Sequence, residues 1–152
     1  MTTTTTRAAQ HYRDTPVDVK IVISALWVAM LMVFAYVDIF GFFRADVLSA
    51  ALNGEVASTG LAVNQAFLVG ALLYILLPSL MVVLSLVLKP RVNRVLNIAA
   101  SLLYVVSIAV SCIGETWMYY LTGSAVEVVL LLAITRTAWN WPAAGERKPQ
   151  PR

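Results

Sequence analysis

Glu127 is the lone acid in a long apolar run from Thr116 to Trp139. A carboxyl in such a setting is either neutral or paired. Arg136 marks the basic end of that run, and at helical rise Glu127 lies roughly 13 Å from it, near the middle of a bilayer. The same arithmetic places Tyr104 and Ser79, on two other runs, roughly 15 Å from their own basic ends. A carboxyl, a phenol and a hydroxyl from three segments therefore share one layer. Their chemistry is that of a proton-binding or substrate-binding acid. The plainer alternative is a neutral Glu hydrogen-bonded to Tyr104 or to a backbone carbonyl, joining two helices.

Other polar residues recur at helical spacing. Asn97, Ser101, Tyr104, Ile108, Ser111 and Glu115 follow alternating steps of four and three, so they share one face. Thr116, Tyr120, Gly123 and Glu127 repeat the pattern on the last segment. Ser24, Trp27, Leu31, Phe34 and Asp38 give a face on the first, and Ala71, Tyr74, Pro78, Met81 and Ser85 on the second. Asp38 falls roughly 27 Å above Lys20, so Asp38, Tyr120 and Glu115 are candidates for the mouth of a polar cleft. The alternative there is an interfacial Asp that water reaches. Asn93, Arg94 and Asn97 open the third segment at the basic face. Arg94 suits a lipid phosphate or a helix end, and the asparagines suit capping. Pro78 predicts a kink, with a freed carbonyl near Tyr74.

These residues need elements to hold them, and composition says which. Of 152 residues, 60% are hydrophobic and 12% charged. Soluble domains run at roughly 45–50% and about 25%. The excess apolar surface calls for lipid as solvent. The net charge of +3 does not imply nucleic acid, because the basic residues sit at the ends of apolar segments rather than along one face. Cys112 is the only cysteine, which excludes an intrachain disulfide and a Cys-x-x-Cys redox site. His11 is the only histidine and lies in a polar stretch, so a His/Cys metal cluster is excluded and no cofactor is expected.

The apolar runs predict four spans, at about residues 19–43, 62–88, 92–113 and 116–139, each meeting the roughly 20 residues a bilayer requires. The first is too long for a signal-peptide core. Residues 1–17 and 142–152 read as disordered tails around a membrane domain over 18–141. Between the first two spans, Asp46 suits the start of a short helix through Leu52, which Asn53-Gly54 ends. Arg7, Arg13, Lys20, Lys89, Arg91, Arg94, Arg136, Arg147, Lys148 and Arg152 fall on one side, and Arg44 alone on the other. The positive-inside rule then places both termini in the cytoplasm. The expected fold is all-α: a transmembrane four-helix bundle, N-in and C-in, with left-handed antiparallel packing and the polar faces turned inward.

Pro78, Met81, Leu84-Ser85, Leu88-Lys89, Asn93-Arg94 and Asn97-Ile98, with Asp38 and Glu127, resemble a family of small bacterial four-span membrane proteins without an assigned function. The resemblance covers about residues 18–141. It implies four spans in a bacterial plasma membrane and implies no activity. Small multidrug transporters fit less well, since their acid lies within the first span and Asp38 lies near its end. The membrane glutathione transferases carry an arginine- and glutamate-rich signature that is missing here. The residues themselves point first to a small transporter or channel-like module using Glu127, in a lipid bilayer and as a homo-oligomer. A non-catalytic subunit bound to another membrane protein comes second. A lipid- or quinone-directed enzyme using Asp38, Glu115, Tyr119 and Tyr120 comes third.

Overall fold

Asp18 starts the first helix: its carboxylate accepts the Lys20 N–H at 2.8 Å, satisfying one of the donors a helix start leaves open. In the computed structural model, which describes residues 16–57 and 59–141, helix α1 runs Val19–Gly41. A short α2 follows at Ala45–Leu52, then α3 at Gln65–Val87, α4 at Pro90–Ser111 and α5 at Met118–Trp139. Residues 1–15 and 142–152, where tails are expected, lie outside the described residues. The four long helices are each long and apolar enough to cross a membrane. The all-α bundle expected from the sequence is what forms.

The helix ends differ from the expected span ends for local reasons. Helix α3 starts at Gln65 because the Asn64 side chain accepts the Phe67 N–H at 2.9 Å. Helix α4 starts two residues early, with Pro90 in the first turn, where its missing N–H is not needed. It ends at Ser111, and Gly114 turns the chain with φ at +83°. Asp46 lies in the first turn of α2 rather than at its cap, a position held by Arg44. The segment after α2 folds back on itself: Val56 N–H donates to Leu61 and Val63 N–H to Gly54, around an isolated Glu55–Ala62 bridge.

The core joins Ile23, Trp27 and Met30 of α1, Met81 of α3, Ala100, Tyr104 and Ile108 of α4, and Leu131, Ile134 and Ala138 of α5. Helix α5 packs along both α1 and α4, and α1 also packs along α3. Helix α3 touches α4 only lightly. The asymmetry lies along α3 itself. Pro78, Met81 and Ser85 are buried in its lower half, whereas every residue from Gln65 to Leu73 is exposed.

Helices α1 and α5 come together at Gly123. A methyl group placed there would collide with the Val37 side chain. Gly123→Ala is therefore expected to destabilise the bundle by about 1–3 kcal/mol, the usual range for overpacking. Val37→Ala in the same chain is expected to restore most of that loss. Denaturant titration in mixed micelles reads both, and an unperturbed Gly123→Ala midpoint would show that the two helices do not meet there.

Candidate functional site

Asn97 is the hub of the lower half. Its carbonyl oxygen accepts the Trp27 indole N–H at 2.7 Å and lies 3.1 Å from the Ser85 hydroxyl. Its amide donates to the Asn93 backbone carbonyl at 2.9 Å and side-chain oxygen at 2.6 Å. Asn93 in turn donates to the Ser85 carbonyl at 2.6 Å. Ser101 donates to the Asn97 carbonyl and meets Thr135 of α5 at 2.7 Å. All four residues Ser85, Asn93, Asn97 and Ser101 are fully buried. In an apolar solvent each such group needs a partner, and here each has one.

The turn between α3 and α4 is tied to α1 in the same way. Lys20 donates its ammonium to the Leu86 and Leu88 carbonyls at 3.1 and 2.9 Å, and Ser24 donates to Val82 at 2.9 Å. The Leu86 carbonyl needs an outside donor because Pro90, four residues later, has no N–H to give it. Arg94 lies over the Trp139 ring, with its guanidinium carbon 5.5 Å from the centroid. Asn93, Arg94 and Asn97 thus knit the basic end together.

Halfway up, Pro78 lies inside α3, and the carbonyl it frees finds a partner the sequence did not name. Proline lacks the N–H that would bond the Tyr74 carbonyl one turn earlier. The Tyr104 hydroxyl of α4 donates to that carbonyl instead. The Tyr74 hydroxyl meets Ser107 at 2.8 Å, and the two phenol rings pack with centroids 4.8 Å apart, tilted by 48°. Ser79 does not join them, since its hydroxyl turns back to Ile75 of its own helix at 2.8 Å. Pro78 therefore separates an anchored lower half of α3 from an upper half held by one tyrosine pair.

Glu127 is the exception among these groups. It is 2% exposed, and its Oε1 is the only buried side-chain oxygen or nitrogen without a hydrogen-bond partner among the described residues. Tyr104, the partner proposed for it as helix glue, is engaged elsewhere. Asp38 of α1, Tyr74 of α3 and Tyr120 of α5 lie within electrostatic reach of it. Asp38 itself is exposed. Tyr120 is half-buried beside Ser111 and Cys112. Neither Glu127 nor Asp38 forms an ion pair among the described residues. No group of three or more His, Cys, Asp or Glu converges there to hold a metal ion.

Glu115 does not meet Asp38. It pairs with Arg44 at 2.9 Å, and Arg44 also pairs with Asp46 at 2.7 Å. The Glu115 Oε1 accepts the Thr116 and Trp117 N–H groups at 2.8 and 3.0 Å, which is why α5 starts no earlier than Met118. Arg44 lies over the Trp117 ring at 4.7 Å. Burial works to raise the Glu115 pKa, but the Arg44 hydrogen bond and the two backbone donors outweigh it and hold it low. A lowered folded pKa stabilises the latch above the ordinary carboxylate range and loses that stability as pH falls through the depressed value. In a chain keeping Trp117 as its single tryptophan, acidification to below the ordinary carboxylate range is expected to shift its emission. Arg44→Ala is expected to move that transition upward. A transition unmoved by Arg44→Ala would rule out the latch.

No solved structure and no curated protein matches the chain. The assignment that does emerge agrees with four apolar helices carrying a conspicuous but unassigned acid: over residues 15–145 the chain belongs to a family of unknown function (DUF6326).

Proposed function

We propose that this protein is a small membrane transporter or channel-like module in which Glu127 is the ionisable site. One observation carries the reading. Among the described residues, Glu127 Oε1 is the only buried side-chain oxygen or nitrogen without a hydrogen-bond partner. An unpaired buried carboxyl costs roughly 1–3 kcal/mol, so its retention asks for a use that packing does not supply. Lys20, Lys89, Arg91, Arg94 and Arg136 gather at one end and Arg44 at the other, which supports a bacterial plasma membrane with the basic end in the cytoplasm. Asp38 and Tyr120 then stand between Glu127 and the outside. The test is proton flux in vesicles holding the purified chain, with Glu127→Gln beside it.

A second reading is a non-catalytic subunit of a membrane complex. It is favoured by the upper half of α3, exposed on all sides from Gln65 to Leu73. Crosslinking from Leu72→Cys in native membranes tests it. Capture of one dominant foreign chain supports that reading, and self-contacts alone count against it.

A further inference from the structure

We propose that the trough between the upper parts of α1 and α5 holds one acyl chain of a phospholipid whose head carries a primary ammonium, as phosphatidylethanolamine does. The site is separate from Glu127 and stands whether or not that residue titrates.

Shape is the first argument. A cavity of about 530 Å³ opens on the surface between the two helices. Met32, Tyr36 and Phe40 of α1 line one side, and Met118 and Thr122 of α5 line the other. Each set recurs every four residues, so it forms a ridge inclined only about 26° to its helix axis. The cavity is therefore a trough running along the bundle. From Met32 to Phe40 it spans roughly 12 Å, most of one leaflet of a hydrocarbon core about 30 Å thick. Its floor is closed where Val37 meets Gly123.

The nature of the guest is the second. Water needs about two to four polar partners, and this lining is mainly apolar. A second transmembrane helix approaches closely over small residues. The one glycine here is already covered by Val37, and Met32, Tyr36 and Phe40 stand half-exposed around it. A single hydrocarbon chain lies along such a trough without moving these rims. Passing from bilayer to trough brings the chain no hydrophobic gain, since both are apolar. Its residence depends on contact with the walls and on its head. The tilted Tyr36 and Phe40 rings, 6.1 Å apart, supply broad surface for that contact.

The mouth is the third. Arg44 follows Phe40 by four residues, and its guanidinium lies over the ring of Trp117, next to Met118. It pairs with Asp46 and Glu115, so the mouth carries one cation and two carboxylates. Asp46 is the accessible one, its side chain 51% exposed against 17% for Glu115. The surplus negative charge therefore faces the lipid heads. It repels an anionic head and attracts a cationic one. A primary ammonium also has N–H donors for Asp46, which a trimethylated head lacks.

The experiment is native mass spectrometry of the full chain, stripped of lipid in micelles and titrated with dioleoyl phosphatidylethanolamine or dioleoyl phosphatidylglycerol. We expect one lipid held per chain above the statistical background, with several-fold preference for the ethanolamine head. Thr122→Trp fills the trough and should weaken retention at least about tenfold, a clear step in affinity. Phe40→Ala removes a wall from the other helix and should weaken it several-fold. Val106→Trp, on the exposed face of α4, should leave it unchanged. Asp46→Asn should erase the preference between heads while the chain is still held. Helical spectra check the fold of each variant. Retention unaltered in both Thr122→Trp and Phe40→Ala overturns the trough as the site. Equal retention of the two lipids by the parent overturns the ammonium head. A dimer that Thr122→Trp dissolves, with no lipid held, gives the trough to a second copy of the chain and overturns the lipid.

Discussion

Glu127→Gln should abolish proton-linked flux without unfolding the protein. An amide of the same shape keeps the packing and cannot carry a titrating proton. A neutral amide in place of a neutral acid changes little energetically, because Glu127 Oε1 has no partner to lose. Glu127→Leu goes further. It removes an unpaired polar group from an apolar setting and is expected to raise stability by about 1–3 kcal/mol. Flux should fall by at least about a hundredfold in both variants, as for a lost essential proton carrier. The pair of readouts separates the two roles open to this residue. A carboxyl acting as interhelical glue predicts the reverse: lower stability in Glu127→Leu, with flux following only as the protein unfolds. Loss of stability beyond about 1 kcal/mol in Glu127→Leu would falsify the functional role.

Asn97→Leu should behave in the opposite manner. The substitution keeps the size of the side chain but strands the Trp27 indole N–H and the Asn93 side-chain oxygen, both deep in the bundle. Hydrogen bonds inside membrane proteins average about 0.6 kcal/mol and reach about 1.7. Several fail together here, and the stranded groups add desolvation, so a loss of about 2–4 kcal/mol is expected. Trp27→Phe in the Asn97→Leu background should cost little more, since the indole has already lost its acceptor. Denaturant titration in mixed micelles gives these numbers. Independent, additive losses for the two substitutions would show that Trp27 and Asn97 are not bonded.

Polar residues were the legible part of this chain, because lipid leaves only polar groups with a reason to turn inward. The face of α4 through Asn97, Ser101, Tyr104 and Ile108 could be read from spacing alone, and all four are buried. Its upper continuation could not: Ser111 is exposed, and Glu115 is drawn to Arg44. Spacing fixes a face, and a charged partner across a loop can still claim the residue. The lower seam of α5, with Leu131, Ile134 and Ala138, gave no signal. Apolar residues look alike whether they meet lipid or another helix. Height does not fix rotation. Ser79 follows Pro78 by one position and so points about 100° away from it around the helix. The carbonyl freed by Pro78 was foreseeable from proline chemistry, whereas the tyrosine that caps it comes from another helix and is invisible to local patterns.

The ties that α1 makes to the α3–α4 corner bear on the order of assembly. Lys20, Ser24 and Trp27 supply donors, and the acceptors on Val82, Leu86, Leu88 and Asn97 are synthesised later. The nascent chain thus delivers its clamps to the bilayer before the hairpin that they grip. A ribosome that releases α3 and α4 finds a template waiting, and the asparagines need not search the lipid for company. Moving α1 to the end of the chain by circular permutation would reverse that sequence of events while leaving every final contact available.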